Sequence, residues 1–154
     1  MLLVVNQNYL TEFVNIVKNK MDPRHQKRIK ILQNLYAYFF YPQQKQNFDK
    51  KTLAIIKNRN KINRYINQFS LKFKVEKIAK VDLAILQLAI YELVIEKKEP
   101  PKAIIDEAVE LAKEFGSEKS YAFVNAILGK VYAYMLDNIL DKSDKSDKLK
   151  EVNH

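Results

Sequence analysis

The chain has 154 residues, enough for one domain with a substantial hydrophobic core. Hydrophobic residues make up 47% and the mean hydropathy is -0.34, which excludes a disordered chain, while the absence of cysteine excludes disulfides, thiolate metal sites and a cysteine nucleophile. The net charge of +9 is unevenly spread: residues 1–80 carry 17 Lys and Arg against 4 Asp and Glu, whereas residues 81–154 carry 10 against 14. A basic half joined to an acidic half suggests two different partner surfaces, the basic one suited to a polyanion.

Only 2 glycines and 4 prolines are present, too little turn chemistry for a strand-rich fold. Residues 1–21 read as an N-terminal extension able to form a short amphipathic helix, with Leu10, Phe13, Val14 and Val17 at helical spacing. Met1–Val5 is apolar but lacks a basic segment before it and ends at Asn6, so it does not read as a signal peptide. Asp22-Pro23 marks a helix start: Asp caps free N–H groups, and Pro has no N–H to waste in the first turn. That helix runs to about Tyr41, where Pro42 helps to stop it, and Ile29, Leu32, Tyr36, Phe39 and Phe40 form a wide apolar face.

A polar connection over residues 42–50 leads to a basic helix or helix pair from Thr52 to about Phe73, with Lys57, Arg59, Lys61 and Arg64 on its exposed side. Val75–Lys98 reads as the central helix, apolar nearly all round and therefore buried on several sides. Gln87 and Glu92 interrupt its apolar run, which makes it a core helix, not a membrane span. Pro100-Pro101 begins the next helix, and Gly116 fits the left-handed position just past its end. Ser117 can cap a last helix over about Glu118–Leu140. Residues 142–154 are charged and of low complexity and read as a disordered tail, which leaves residues 22–141 as the folded domain.

Signals of catalysis are weak. The glycines are isolated, and neither His25 nor His154 can be joined to a nucleophile and an orienting group, so the expected catalytic, metal and cofactor assignments are none. The carboxylates Asp106, Glu107, Glu110 and Glu114 read as a solvated helix face that pairs with Lys102 and Lys113. The strongest binding signal is the first basic helix. Arg24, Lys27 and Arg28 fall at i, i+3 and i+4, flanked by His25 and Lys30, at a helix N-terminus whose N–H groups also favour anions. Phosphate contact and an ordinary solvated basic face both fit this stripe from charge alone. Tyr36, Tyr38, Phe39, Phe40 and Tyr41 read mostly as core, with base stacking open to one or two of them. Phe123, near Lys119 and Ser120, also reads first as core.

Three blocks then stand out: VDLAILQLAIYEL at Val81–Leu93, PKAIIDEAVELAKEF at Pro101–Phe115 and GSEKSYAFVNAIL at Gly116–Leu128. Together with RHQKRIKILQNLY at Arg24–Tyr36 they resemble the NusB family of bacterial transcription antitermination factors. The resemblance implies an all-α fold, a NusB-like helical bundle of two packed helical subdomains, with no catalysis and a cytoplasmic location. It implies binding to boxA-type single-stranded RNA in leader transcripts, chiefly of ribosomal RNA operons. It also implies a heterodimer with NusE, a small-subunit ribosomal protein, and loading onto the RNA polymerase antitermination complex, away from any membrane.

Carried over residue by residue, Arg24, His25, Lys27 and Arg28 become phosphate contacts, and Tyr36 lies near the RNA and partner surface. Lys119 and Phe123 fall in a second RNA-contacting region, and Asp82 takes an acidic position that faces NusE. Lys119 departs from the acidic residue common in the family. The segment Tyr41–Val75 is short for a family member, and the N-terminal extension is expected to fill the place left by it. A non-catalytic interaction module or homodimer with weak RNA binding is the alternative function. An accessory domain related to ribosomal RNA cytosine methyltransferases is another, although the chain leaves no room for a Gly-rich methyl-donor site.

Overall fold

The computed structural model describes residues 7–151, and among these there are helices and no strands. Seven helices follow in order: α1 (Gln7–Met21), α2 (Pro23–Phe40), α3 (Lys50–Lys57), α4 (Arg59–Phe69), α5 (Lys80–Ile90), α6 (Pro101–Phe115) and α7 (Ser120–Glu151). Their limits follow local chemistry. Asp22 caps α2 by accepting the Arg24 N–H at 2.9 Å, with Pro23 in the first turn. Asp49 caps α3 in the same way through the Thr52 N–H at 2.6 Å, and Asn58 divides α3 from α4, so the basic middle segment is a helix pair.

The core is organised on α5, where every residue from Asp82 to Ile90 is buried. The N-terminal group α2–α4 packs on it from one side and the α6–α7 pair from the other, so both groups share a single apolar core. Leu35, Ile55, Ile62, Ile66, Ile85, Leu111, Val124 and Leu128 are among its fully buried members. Removing such side chains from water drives the assembly, at about 1.5–3 kcal/mol each. The rings of Tyr65 and Phe69 on α4 meet Tyr134 on α7 at 6.2 and 5.7 Å, which closes the bundle at that end.

Beyond Ile90 the central helix widens into a π turn over Tyr91–Glu96, with the Lys97 N–H donating to the Glu92 carbonyl at 2.9 Å. Lys97 then takes the left-handed conformation at φ 53°, the one non-glycine residue with positive φ among the described residues. Nothing in the composition of YELVIE signals this widening. Its consequence is that Glu92 is buried beside cations from α2 and α3.

Four expectations are corrected here. Gly116 is not left-handed (φ -88°); it is small because a Cβ there would lie 2.4 Å from the Ser120 side chain and 2.6 Å from the Ala112 carbonyl oxygen. The Ser117 N–H donates to Ser120 Oγ at 2.8 Å, and α7 starts at Ser120. The α7 backbone continues as helix through Glu151, where a disordered tail is expected from residue 142. Residues 1–6 and 152–154 of the expected extension and tail lie outside the described residues. Finally, α1 does form over Gln7–Met21, but Leu10, Phe13, Val14 and Val17 all stay exposed, so their stripe fills no place in the core.

Candidate nucleic-acid interface

Helix α2 presents its first turns in two directions. Arg24, with 70% of its side chain exposed, and Lys27 point outward. Arg24 lies 3.7 Å from Asp22, whose carboxyl is held below its ordinary value chiefly by the Arg24 backbone N–H and further by the Arg24 charge.

His25 and Arg28 turn inward, which departs from the expected stripe of phosphate contacts. His25 is only 2% exposed: its Nδ1 makes a short hydrogen bond to Glu107 Oε1, and its Nε2 lies 3.0 Å from Glu114 Oε2. Burial works against the imidazolium, but the bonds and charges of the two carboxylates outweigh it and raise the pKa above its ordinary 6.5. With both nitrogens facing carboxylates, the charged form donates twice and ties the start of α2 to α6.

Arg28 is buried and bidentate on Glu92. Its Nε lies 3.1 Å from Oε1 and its Nη2 2.8 Å from Oε2, and Nη2 also reaches Glu99 at 2.5 Å. Burial alone would lower its pKa; the paired carboxylates instead raise it, so the guanidinium is permanently charged. Lys51 completes this cluster, 2.9 Å from Glu92 and 3.2 Å from Glu96. The side chains of His25 and Arg28 are thus taken up by α6, the π turn and the connection between them. On the helix wheel Arg28 lies between Arg24 and His25, at the edge where the basic face meets the core.

The His25–Glu114 contact brings the start of α2 close to the end of α6, and the α6–α7 connection follows directly. Lys119, on that connection, is exposed, whereas Phe123 is half-buried against the core. Nearby Lys113 stands over the Tyr121 ring at 5.7 Å. Arg24, Lys27 and Lys119 therefore sit at one end of the bundle.

Beside this end lies an apolar cleft of about 250 Å³ between α2, α5 and α6, lined by Ile29, Leu32, Tyr36, Val81, Ala84 and Phe115. Tyr36 is 43% exposed and its ring meets Phe40 at 5.2 Å. Asp82, next to Val81, is nearly buried, and its Oδ1 has no hydrogen-bond partner. Tyr36 thus lines the cleft, whereas Asp82 does not: only its neighbour Val81 does. A second set escaped sequence reasoning: Tyr38 and Phe39 with Lys45, Arg59 and Lys80 over their rings. The aromatic run was visible, but its basic partners come from three separate segments.

Among the described residues no group of His, Cys, Asp and Glu is arranged to hold a metal ion, and no helix is long and apolar enough to cross a membrane. The model of the NusB family matches residues 6–133. The chain belongs to the NusB family.

Curated relatives named transcription antitermination protein NusB include one from Agathobacter rectalis, 44% identical over 88 residues, which are 57% of this chain and 67% of that protein. Another, from Acetivibrio thermocellus, is 49% identical over 78 residues, 51% of this chain and 54% of that protein. The matched segments thus span about half to two thirds of these relatives. Among solved structures, T. maritima NusB aligns with a TM-score of 0.64 at 30% identity and covers 71% of this chain and 90% of its own. A chain in the crystal structure of a plectonemic RNA supercoil aligns with a TM-score of 0.63 at 19% identity, covering 71% of this chain and 93% of that one. This second likeness shows the fold alone.

Proposed function

We propose that this protein is a transcription antitermination factor of the NusB type that binds boxA-type single-stranded RNA together with NusE and supports transcription of ribosomal RNA operons. The observation that carries the reading is the exposed basic end of the bundle. Arg24 and Lys27 stand free of the core, and the His25 clamp holds them near Lys119. Phosphates would bind these three cations. His25 and Arg28 act one step back: they fix the helix that presents the contacts. Phe123 supports the α7 start from within, with its half-exposed edge open to a base.

The cleft at Tyr36 suits NusE. It offers an apolar surface and a tyrosine hydroxyl, and Asp82 follows its lining residue Val81 in the chain. Asp82 would meet a basic group of NusE through the small part of its side chain that stays exposed, while its buried Oδ1, without a donor, carries a desolvation cost of about 1–3 kcal/mol. The heterodimer would then join the RNA polymerase antitermination complex.

The test is fluorescence anisotropy with a boxA-type oligonucleotide at two salt concentrations. Arg24→Gln with Lys27→Gln should weaken binding and flatten the salt dependence by about 0.7 log unit for each phosphate no longer neutralised. Unchanged affinity and slope would make this end of the bundle an ordinary solvated face.

A further inference from the structure

A second cavity, of about 310 Å³, opens where the end of α2 meets α4 and the start of α5. This volume lies at the low end of small-ligand sites, about 300–1,000 Å³. Its walls include the rings of Tyr38 and Phe39. At its floor Gln87, only 4% exposed, donates from Nε2 to Asn63 Oδ1 at 3.0 Å. Arg59 Nη1 makes a short hydrogen bond to the Tyr38 hydroxyl, and its guanidinium stands 5.7 Å from the centre of the same ring. Lys45 lies 5.5 Å from the Tyr38 ring and Lys80 5.7 Å from the Phe39 ring.

No carboxylate pairs with Lys45, Arg59 or Lys80 among the described residues, in contrast to the Arg28 cluster. Glu76 also lines the cavity, so two cations, Arg59 and Lys80, face one acid there, with Lys45 beside the Tyr38 ring. An apolar ligand would leave the cations without an anion, and a bare anion would not use the rings. A nucleotide uses rings, amides and cations: a base stacks on aromatic and guanidinium planes, amides reach its polar edge, and cations hold its phosphate.

We infer that this cavity is a nucleotide pocket that takes one base of the bound RNA strand, with its phosphate held by Arg59 and Lys80. The inference rests on the RNA-binding reading above and extends it to a second place. Tyr38 is 14 residues from Arg24 along α2, roughly 21 Å at 1.5 Å per residue, so a strand of a few nucleotides would span the two.

The experiment uses the isotope-labelled full chain and two probes, uridine monophosphate and a boxA-type oligonucleotide. In NMR titrations both probes should shift the side-chain amides of Asn63 and Gln87 and the Tyr38 ring, and inorganic phosphate at equal concentration should shift them far less. Arg59 is exposed, so Arg59→Gln leaves folding intact; together with Tyr38→Leu it should weaken both probes by about 5- to 100-fold, the range expected when one base stack is removed. Oligonucleotide affinity unchanged in this variant, or equal shifts with phosphate alone, would overturn the pocket. A chain that binds no oligonucleotide but still binds the mononucleotide here would overturn the RNA reading and leave the pocket in place. Loss of binding only in the Arg24 and Lys27 variant would do the reverse.

Discussion

Arg24 and Arg28 are one helical turn apart and identical in chemistry, yet the structure gives them opposite roles, and Arg28→Gln exposes the difference. Arg28 donates to Glu92 at 3.1 and 2.8 Å and to Glu99 at 2.5 Å, with Glu92 buried. Removing one partner of a buried ion pair costs about 3–5 kcal/mol, because the other charge is left desolvated. Lys51 still holds Glu92 at 2.9 Å, which places the expected loss near the low end, about 3 kcal/mol. At about 2–4 °C per kcal/mol for a chain of this size, the midpoint of thermal unfolding should fall by roughly 6–12 °C. Arg24→Gln, on an exposed side chain, should change stability by no more than about 0.5 kcal/mol. RNA affinity should follow the opposite order: about 5-fold weaker for Arg24→Gln, from the loss of about 1 kcal/mol, and nearly unchanged for Arg28→Gln below its unfolding temperature. Urea unfolding and RNA anisotropy on both variants read this out. An Arg28→Gln protein within about 1 kcal/mol of the parent by urea unfolding that binds RNA as weakly as Arg24→Gln would refute the burial argument.

The His25 clamp makes stability pH-dependent. Its folded pKa lies above 6.5, so its stabilising share is fully present below the unfolded value and is lost as pH rises from there through the folded value. Unfolding free energies across that window should decline in the parent and stay flatter in His25→Gln; matching profiles would remove the clamp. Gly116→Ala would push a Cβ onto the Ala112 carbonyl and Ser120 and should cost about 1–3 kcal/mol in urea unfolding. Phe13→Ser on α1 should leave stability within about 0.5 kcal/mol, since that ring is 64% exposed; a larger loss would mean that the stripe is packed.

What could be read from the sequence was local. Asp22-Pro23 and Pro100-Pro101 act on their own neighbours, so the starts of α2 and α6 were visible without a fold. The apolar period of residues 81–90 announced a buried central helix for the same reason. The fates of His25 and Arg28 were hidden because their partners lie 64 to 89 residues away. Glu107 and Glu114 read as a solvated face until α2 is laid against them. The π turn was hidden too: YELVIE continues a helical pattern, and the cations beside Glu92 come from the distant α2 and α3. The aromatic-cationic cavity needed α2, α4 and α5 brought together, and no single segment carries it.

The most direct test of the central claim is a titration of the full chain with a boxA-type single strand and a scrambled strand, each with and without the cognate NusE. Binding should be salt-sensitive, favour the boxA-type strand and tighten when NusE is added. Equal affinity for the two strands, unaffected by NusE, would contradict that claim.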